Sequence, residues 1–313
     1  MAVIRANLTD LLTVDLNHVL FEALKGLGYE ELLNSIFMVD TSKKNLEYGK
    51  TVGGYQLVGE KNEGESITFR DCSEGYKTTY THKTFGMASS ISMEAKEDEL
   101  HGVVDEIPTA MSRAVDAAIN YYCSRIFSRA NSASEDFITG GDGVALLSAS
   151  HPLKEGGTFA NTPSSAVDLT ATSLWSGVNA FYEMLDDAGK PVKNRPDRLL
   201  VPHQLQQKAT ELLESQLYPE NANNAINALR LRTKITPVIW PYWIGSVDSD
   251  CWFLLGAKDE WPKGKFPLRF YWRKKPTTES YNDFFSKDFM YSVVLRFSCG
   301  YTDPRFVYGS MGA

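Results

Sequence analysis

The sequence has few cysteines, and no two of them lie close together. Four occur in 313 residues, at Cys72, Cys123, Cys251 and Cys299. Because no C-x-x-C or C-x-x-H pair is formed, a zinc ribbon and a thioredoxin-like motif are excluded, and a disulfide scaffold is disfavoured. We therefore expect buried, reduced thiols in an intracellular protein.

Long apolar runs and an excess of basic residues are also missing. No stretch approaches the roughly 18 apolar residues that a membrane-spanning helix needs, and residues 1–15 lack the apolar region of a signal peptide. Acidic residues outnumber basic ones by 39 to 32, giving a net charge of −7. That balance disfavours a protein that coats DNA through its phosphates. Hydrophobic residues make up 43% of the chain, which is typical of a globular protein with a large core.

The sequence contains no familiar catalytic or ligand-binding motif. None of the five histidines has metal-site spacing, and the glycine-rich residues 140–143 match no phosphate-binding pattern, so we predict turns there. Basic and aromatic residues alternate over 269–275, as on single-strand nucleic-acid surfaces. We prefer a strand that ends in a basic turn at Pro276. We predict no catalytic, cofactor or metal site, and an enzyme whose site at His151 or His203 escapes motif analysis stays open.

Periodicity predicts an α+β architecture. Apolar residues recur at helical spacing in five segments. The predicted helices cover residues 11–27, 32–38, 96–130, 172–188 and 202–217. Short apolar segments in the last third of the chain, and one before it, predict strands. These strands cover residues 198–201, 235–240, 252–255, 268–272 and 289–297. Pro108 predicts either a kink in the longest helix or an early end at Ile107.

A polar ribbon precedes the longest helix. Segments 65–70 and 76–84 are joined by a turn at 71–75, and the second segment is rich in Thr and Tyr, which favour strands. The ribbon has little apolar content, and an isolated two-stranded hairpin is marginally stable in water. We therefore expect it to pack on a neighbouring subunit.

The order of these segments resembles the major capsid protein of tailed bacteriophages, with the Hong Kong 97-type fold. Within that fold, several stretches look like the Mu-type major head subunit family. These stretches are Thr79–Gly86, Ser92–Gly102, Gly141–Gly143, Ser150–Pro152, Gly156–Thr158 with Asn161, Leu199–Pro202, Asn223–Asn224 and Phe297–Gly309. They follow one another in order over nearly the whole chain.

The resemblance implies a division into four parts and a mechanical function. The parts are an N-terminal arm over 1–45, an extended E-loop over 46–93, a P-domain with a spine helix over 94–164 completed by 286–313, and an A-domain over 165–285. The function is that of a major capsid protein, assembled in the bacterial host cytoplasm as pentamers and hexamers. They form an icosahedral shell around double-stranded DNA in the virion.

The same resemblance implies a separate scaffolding protein and a portal, DNA enclosed without sequence-specific binding, and no membrane or cofactor. We expect subunit interfaces in the ribbon and the arm. The candidate interface residues are Phe69, Arg70, Tyr76, Lys77, Tyr80, Leu16 and Leu20. An encapsulin-like nanocompartment shell, which shares the fold but holds an enzyme cargo, is the alternative.

Overall fold

The structure is a computed structural model. It describes residues 17–55, 57–67, 69, 74–92, 94, 103–133, 140–154, 156–192, 194–217, 226–241, 249–261 and 265–313. The chain forms two compact units. The first contains residues 1–46, 81–123 and 270–299, and the second contains 47–80, 124–269 and 300–313.

Two helices open the first unit, as the apolar spacing predicts. Residues 17–26 are helical (α1), and α2 spans Tyr29–Ile36. Gly28 separates them with a φ of 67°, a left-handed conformation that glycine adopts without steric cost. The predicted residues before 17 lie outside the described part of the chain.

The longest helix, α3, spans Val103–Ser128 and contains Pro108. At 1.5 Å per residue, its 26 residues extend for about 39 Å. The predicted early end at Ile107 is therefore wrong, because the helix continues through the proline. The kink at Pro108 stays a prediction.

A four-stranded sheet with the order β1-β10-β11-β4 builds the first unit. Its strands are β1 (Met38–Thr41), β10 (Leu268–Asn282), β11 (Phe289–Tyr301) and β4 (Lys83–Ile91). Strands β11 and β4 run antiparallel, with Leu295 opposite Phe85. Stacked rings form the core: the Phe297 ring lies 4.7 Å from that of Phe85 and 5.2 Å from that of Phe270.

Strand β10 differs from the prediction in its length. Phe270 and Trp272 are buried as expected, but the strand runs through Pro276 to Asn282 instead of ending in a basic turn. Strand β1 is four residues long and β10 is fifteen. Most of β10 therefore has no pairing residue in β1, and a proline is tolerated in a strand where its missing N–H group has no partner.

The second unit contains a sheet with the order β12-β9-β7-β8. Its strands are β7 (Pro196–Pro202), β8 (Thr236–Trp240), β9 (Trp252–Gly256) and β12 (Val307–Ser310). Strand β7 pairs parallel to β8 and antiparallel to β9, and β12 is antiparallel to β9. All five residues of β9 are buried, because a central strand with both faces covered excludes water from every side chain.

Three helices accompany this sheet: α4 (Ala171–Glu183), α5 (Gln206–Glu214) and α6 (Ala228–Arg232). Helix α4 is shorter than the predicted 172–188. It ends at Glu183 because the Asp186 carboxylate accepts from the Ala188 and Lys190 backbone N–H groups and closes a turn there. A small pair of strands, β5 (His151–Pro152) and β6 (Thr158–Phe159), completes the unit.

The ribbon consists of β2 (Leu46–Val52) paired with β3 (Glu74–Thr81). The predicted strand over 65–70 is wrong, because its described residues are not in a strand. The predicted strand over 76–84 is divided at His82, after which β4 joins the sheet of the first unit. The division into arm, E-loop, P-domain and A-domain stays a prediction. Residues 268–282 lie in the first sheet, and residues 307–310 lie in the second.

Candidate functional site: two exposed apolar loops

An apolar loop connects the two strands of the ribbon. Its described residues, 53–55, 57–67 and 69, contain no helix or strand. Val58 is 97% exposed and Phe69 is 99% exposed, and Tyr55, Leu57 and Ile67 are also mostly in solvent. Exposed apolar patches in a folded protein mark sites of interaction. We call residues 53–69 the ribbon loop.

The base of the ribbon is held to its own unit by close backbone packing. A Cβ atom at Gly141 would lie 2.9 Å from the Lys77 carbonyl, so only glycine allows this approach. The Tyr80 hydroxyl lies 2.6 Å from Thr302 Oγ1. The strand base therefore packs within the chain, unlike the prediction, and the ribbon loop is the part that remains exposed.

Ionic contacts also join β2 to β3. The Lys50 ammonium lies 2.5 Å from the Glu74 carboxylate, and by this hydrogen bond and its charge it holds the Glu74 pKa below the ordinary 4.5. The Lys77 ammonium lies 3.7 Å from the centre of the Tyr48 ring, within cation–π range. These contacts hold the two strands of the ribbon together.

The structure separates the predicted interface residues. Phe69 is fully in solvent, Lys77 is exposed and Tyr76 is half-buried. Leu20 and Tyr80 are buried within the chain, at 0% and 3% exposure, so their side chains contribute to folding and we remove them from the set. Leu16 and Arg70 lie outside the described residues.

Sequence reasoning missed a second exposed loop, at the tip of the β10–β11 hairpin. Phe285 is 92% exposed, and Tyr281 and Phe284 are mostly in solvent. We call these three residues the aromatic tip. Two adjacent phenylalanines among the polar residues 281–288, between two predicted strands, were the signal that could have revealed it.

His151 and the glycine-rich segment form interior contacts, whereas His203 is exposed. His151 is fully buried, and its Nδ1 atom lies 2.7 Å from the Asp142 carboxylate. Its ring stacks on Phe159, and its Nε2 atom lies 3.3 Å from the Leu146 carbonyl oxygen. Both ring nitrogens of His151 are thus engaged by the protein.

A second buried cluster anchors the C-terminal strand. The Arg305 guanidinium donates to Asp187 at 2.6 Å and to Asp303 at 3.1 Å. Although burial opposes the charge, the two carboxylates raise the Arg305 pKa above its ordinary value. These buried ion pairs tie Arg305 to Asp187, which is distant in sequence, so the cluster contributes to folding.

Within the described residues, no group of three or more His, Cys, Asp or Glu side chains is placed to hold a metal ion. No described helix is long and apolar enough to cross a membrane. The three cysteines that the structure describes, Cys123, Cys251 and Cys299, are buried thiols outside any disulfide, as predicted. Cys72 lies outside the described residues.

A sequence profile for phage capsid proteins matches residues 75–310 of the chain. The chain belongs to the phage capsid protein family. As a phage capsid protein it is a structural component of the virion shell and not an enzyme. The match favours a phage shell over a nanocompartment. A search of curated proteins gives no match.

Solved structures share the fold of this capsid protein at low sequence identity. One from Microbacterium phage Oxtober96 is 9% identical with a TM-score of 0.55, covering 90% of this chain and 90% of that chain. One from Mycobacterium phage Adephagia is 12% identical with a TM-score of 0.55, covering 90% and 89%. The bacteriophage JBD30 capsid is 15% identical with a TM-score of 0.53, covering 68% and 90%. The fold is the α+β Hong Kong 97-type capsid fold, as predicted.

Proposed function

We propose that the chain is the major head subunit of a tailed phage of the Mu type. It assembles as pentamers and hexamers into an icosahedral shell that encloses double-stranded DNA. The profile match over residues 75–310 carries the proposal. The arm, E-loop, P-domain and A-domain would then be the working parts of one shell subunit.

The exposed side chains of the ribbon loop support the proposal that subunits contact one another through this loop. Leu57, Val58, Ile67 and Phe69 expose apolar surface that finds no cover within the described chain. Burial of an apolar side chain contributes about 1.5–3 kcal/mol, so a neighbour that covers the loop gains several such contributions. The loop is also free of helix and strand in its described residues, which suits a segment that must fit inequivalent neighbours. Phe69, Tyr76 and Lys77 are the interface residues we retain.

The charge of the chain suits a container for DNA. A net charge of −7 does not favour tight binding to phosphates, so the shell holds the genome by enclosure and without sequence-specific contacts. We propose that assembly occurs in the host cytoplasm with a separate scaffolding protein and a portal.

Electron microscopy tests this proposal directly. We would examine the protein by negative stain after expression alone and together with the neighbouring genes of its phage. Closed shells, or rings and tubes of capsomers, are the expected result. A uniform monomer or small oligomer under both conditions would contradict the proposal.

A triple substitution tests the role of the ribbon loop. Leu57→Ser, Val58→Ser and Phe69→Ser together should abolish closed shells and leave the unfolding midpoint unchanged, because these side chains are exposed in the folded chain. Leu231→Ser is the matched control, since Leu231 is 70% exposed and lies far from the loop in sequence. Shells of normal yield from the triple variant would remove the loop from the assembly surface.

Deletion of residues 55–85, which the polar composition of the ribbon suggests as a test, is too large. It would remove all of β3 and the start of β4, including the buried Thr78, Tyr80 and His82. Unfolding of that variant would follow from lost core contacts and would not bear on assembly.

A further inference from the structure

The aromatic tip is a rigid, exposed feature of the first unit. In the turn between β10 and β11, the Asp283 backbone N–H donates to the Asp288 carbonyl at 3.0 Å, and the Lys287 N–H donates to the Asp283 carbonyl at 3.0 Å. The Asp283 carboxylate also accepts from the Phe285 backbone N–H at 2.7 Å. A turn held by its own hydrogen bonds presents its side chains in a fixed arrangement, which reduces the entropy lost on binding.

Three further observations show that the tip is held in one conformation. Lys287 is the one non-glycine residue in the described chain with positive φ, at 64°, a conformation that persists only where the surrounding structure enforces it. Its ammonium lies 4.5 Å from the centre of the Phe284 ring. The Phe284 and Phe285 rings meet edge to face at 5.5 Å. The two rings therefore form a preformed knob.

The same unit contains an apolar hollow. It has a volume of about 460 Å³ and is lined by Phe21, Leu24, Tyr29 and Pro276. Leu24 and Tyr29 form its floor at 3% and 7% exposure, and Phe21 stands at its edge at 43% exposure. Pockets of about 300–1,000 Å³ accept groups of drug-like size, so the hollow has room for aromatic rings.

Charges surround both features. Lys25 and Lys275 stand at the rim of the hollow beside Glu30 and Glu31, and the Lys275 ammonium lies 3.2 Å from the Glu30 carboxylate. The tip carries two acids, Asp283 and Asp288, and one base, Lys287. The two acidic residues of the tip can thus pair with the two lysines at the rim of the hollow, and Lys287 of the tip can pair with the rim carboxylates. This pairing of signs gives orientation more than affinity.

We propose that the aromatic tip of one subunit inserts into the hollow of a second copy of the same chain. The proposal rests on the shell assembly proposed above, which brings many copies together. A knob and a hollow at different places on one chain make a head-to-tail contact, the kind that closes rings or extends lattices. Aromatic anchors that enter apolar pockets carry most of the energy of an interface.

Disulfide trapping between chains that each carry one introduced cysteine tests the contact. One chain carries Lys25→Cys at the rim and the other carries Ser286→Cys at the tip, with tags of different length and both with Cys72→Ser. The three described native cysteines are buried. Both phenylalanines and the floor of the hollow stay intact. Oxidised particles from co-expressed chains should contain the mixed dimer on a non-reducing gel, and either chain alone should remain monomeric.

Loss of the knob should remove the crosslink. Phe284→Ser with Phe285→Ser, added to the tip chain, should lower the yield of mixed dimer at least about tenfold, as expected for an interface anchor. Leu231→Ser, the exposed apolar control, should leave the yield unchanged. A crosslink that survives loss of both phenylalanines would overturn the proposal.

Other outcomes identify other occupants. Closed shells without the mixed dimer would overturn the contact and leave the shell function intact. Dimers from the tip chain alone would show that the tips of two subunits contact each other. A mixed dimer that forms only after removal of residues 1–16 would show that the chain's own N-terminal residues occupy the hollow. Each of these also overturns the proposal. If no particle forms, the proposed shell function is contradicted. The contact is then tested separately, by oxidising the concentrated soluble protein: presence of the mixed dimer supports the contact, and its absence overturns it.

Discussion

Strand β9 and the ribbon loop belong to the same unit and both carry large apolar side chains, but they bury them to opposite extents. Trp252, Phe253 and Leu254 in β9 are 0% exposed, whereas Val58 and Phe69 in the loop are 97% and 99% exposed. Strand β9 has a neighbouring strand on each edge, and the loop has none among the described residues. The comparison separates apolar surface used for folding from apolar surface that remains available to another subunit.

The polar contacts of the two regions differ in the same way. The C-terminal strand β12, which pairs with β9, follows directly after the Arg305 cluster, where both ion pairs are buried. The ribbon below its loop is joined by an exposed Lys50–Glu74 pair. Exposed pairs contribute about 0–1 kcal/mol, whereas breaking a buried pair costs several. Stability is therefore concentrated around β9 and β12.

The largest effect should come from the buried cluster. Arg305→Ala should lower the free energy of unfolding by about 3–5 kcal/mol, because Asp187 and Asp303 would remain as buried, unpaired carboxylates. Urea denaturation followed by circular dichroism measures the loss. Arg195→Ala removes a half-exposed pair with Asp259 and should cost about 1 kcal/mol or less. Equal losses would remove the distinction between buried and exposed ion pairs.

Truncation of one aliphatic side chain in β9 and one in the ribbon loop tests the comparison between these two regions. Leu254→Ala should lower the free energy of unfolding by about 2–5 kcal/mol, because it leaves a cavity in the core. Val58→Ala should change it by less than about 0.5 kcal/mol. The same denaturation measurement applies to both variants. A substantial loss from Val58→Ala would mean that the ribbon loop packs on its own chain.

A glycine substitution probes how closely β12 and β9 pack. A Cβ at Gly309 would lie 2.6 Å from the Trp252 carbonyl oxygen and 2.7 Å from the Phe253 ring. Because a backbone atom cannot move aside as a side chain can, Gly309→Ala should cost about 1–3 kcal/mol. Thermal unfolding would report it. Gly64→Ala, in the open ribbon loop, tests strain without crowding, since Gly64 has a φ of 82° and no atom near its Cβ position.

The last test is a pH dependence near Lys258. Burial, followed by the charge of Arg198, lowers the Lys258 pKa from 10.5 to about 8. Between these values the folded chain releases the proton while the unfolded chain keeps it, so the free energy of unfolding should rise from pH 8 to pH 10.5. Lys258→Met should flatten this rise, and Lys61→Met in the ribbon loop should not. Urea midpoints at pH 7.5 and pH 10 check it.

The sequence anticipated elements whose pattern is local. Helix α2, most of α3 and strands β7, β8, β9 and β11 follow from apolar spacing and lie within a few residues of their predicted bounds. The end of α4 was missed because it depends on the turn that Asp186 closes. Residue type alone does not reveal that Asp186 accepts from two backbone N–H groups.

The ribbon shows why pairing is harder to predict than strand formation. The sequence predicts that segment 65–70 pairs with segment 76–84, but the partner of β3 is Leu46–Val52. Gly49 in that strand resembles a loop glycine in the sequence. The structure shows why it is glycine: a Cβ there would clash with the Thr302 side chain, which is distant in sequence.

The sequence by itself determined the α+β class, the absence of a motif-based catalytic site and, through its ordered resemblance to phage capsid proteins, the fold. Tertiary structure alone decided which apolar residues remain exposed. Leu20 and Phe69 are both apolar residues in regions predicted to form interfaces, yet one is 0% and the other 99% exposed. Burial depends on which distant segments cover a side chain, and local periodicity contains no information about those segments.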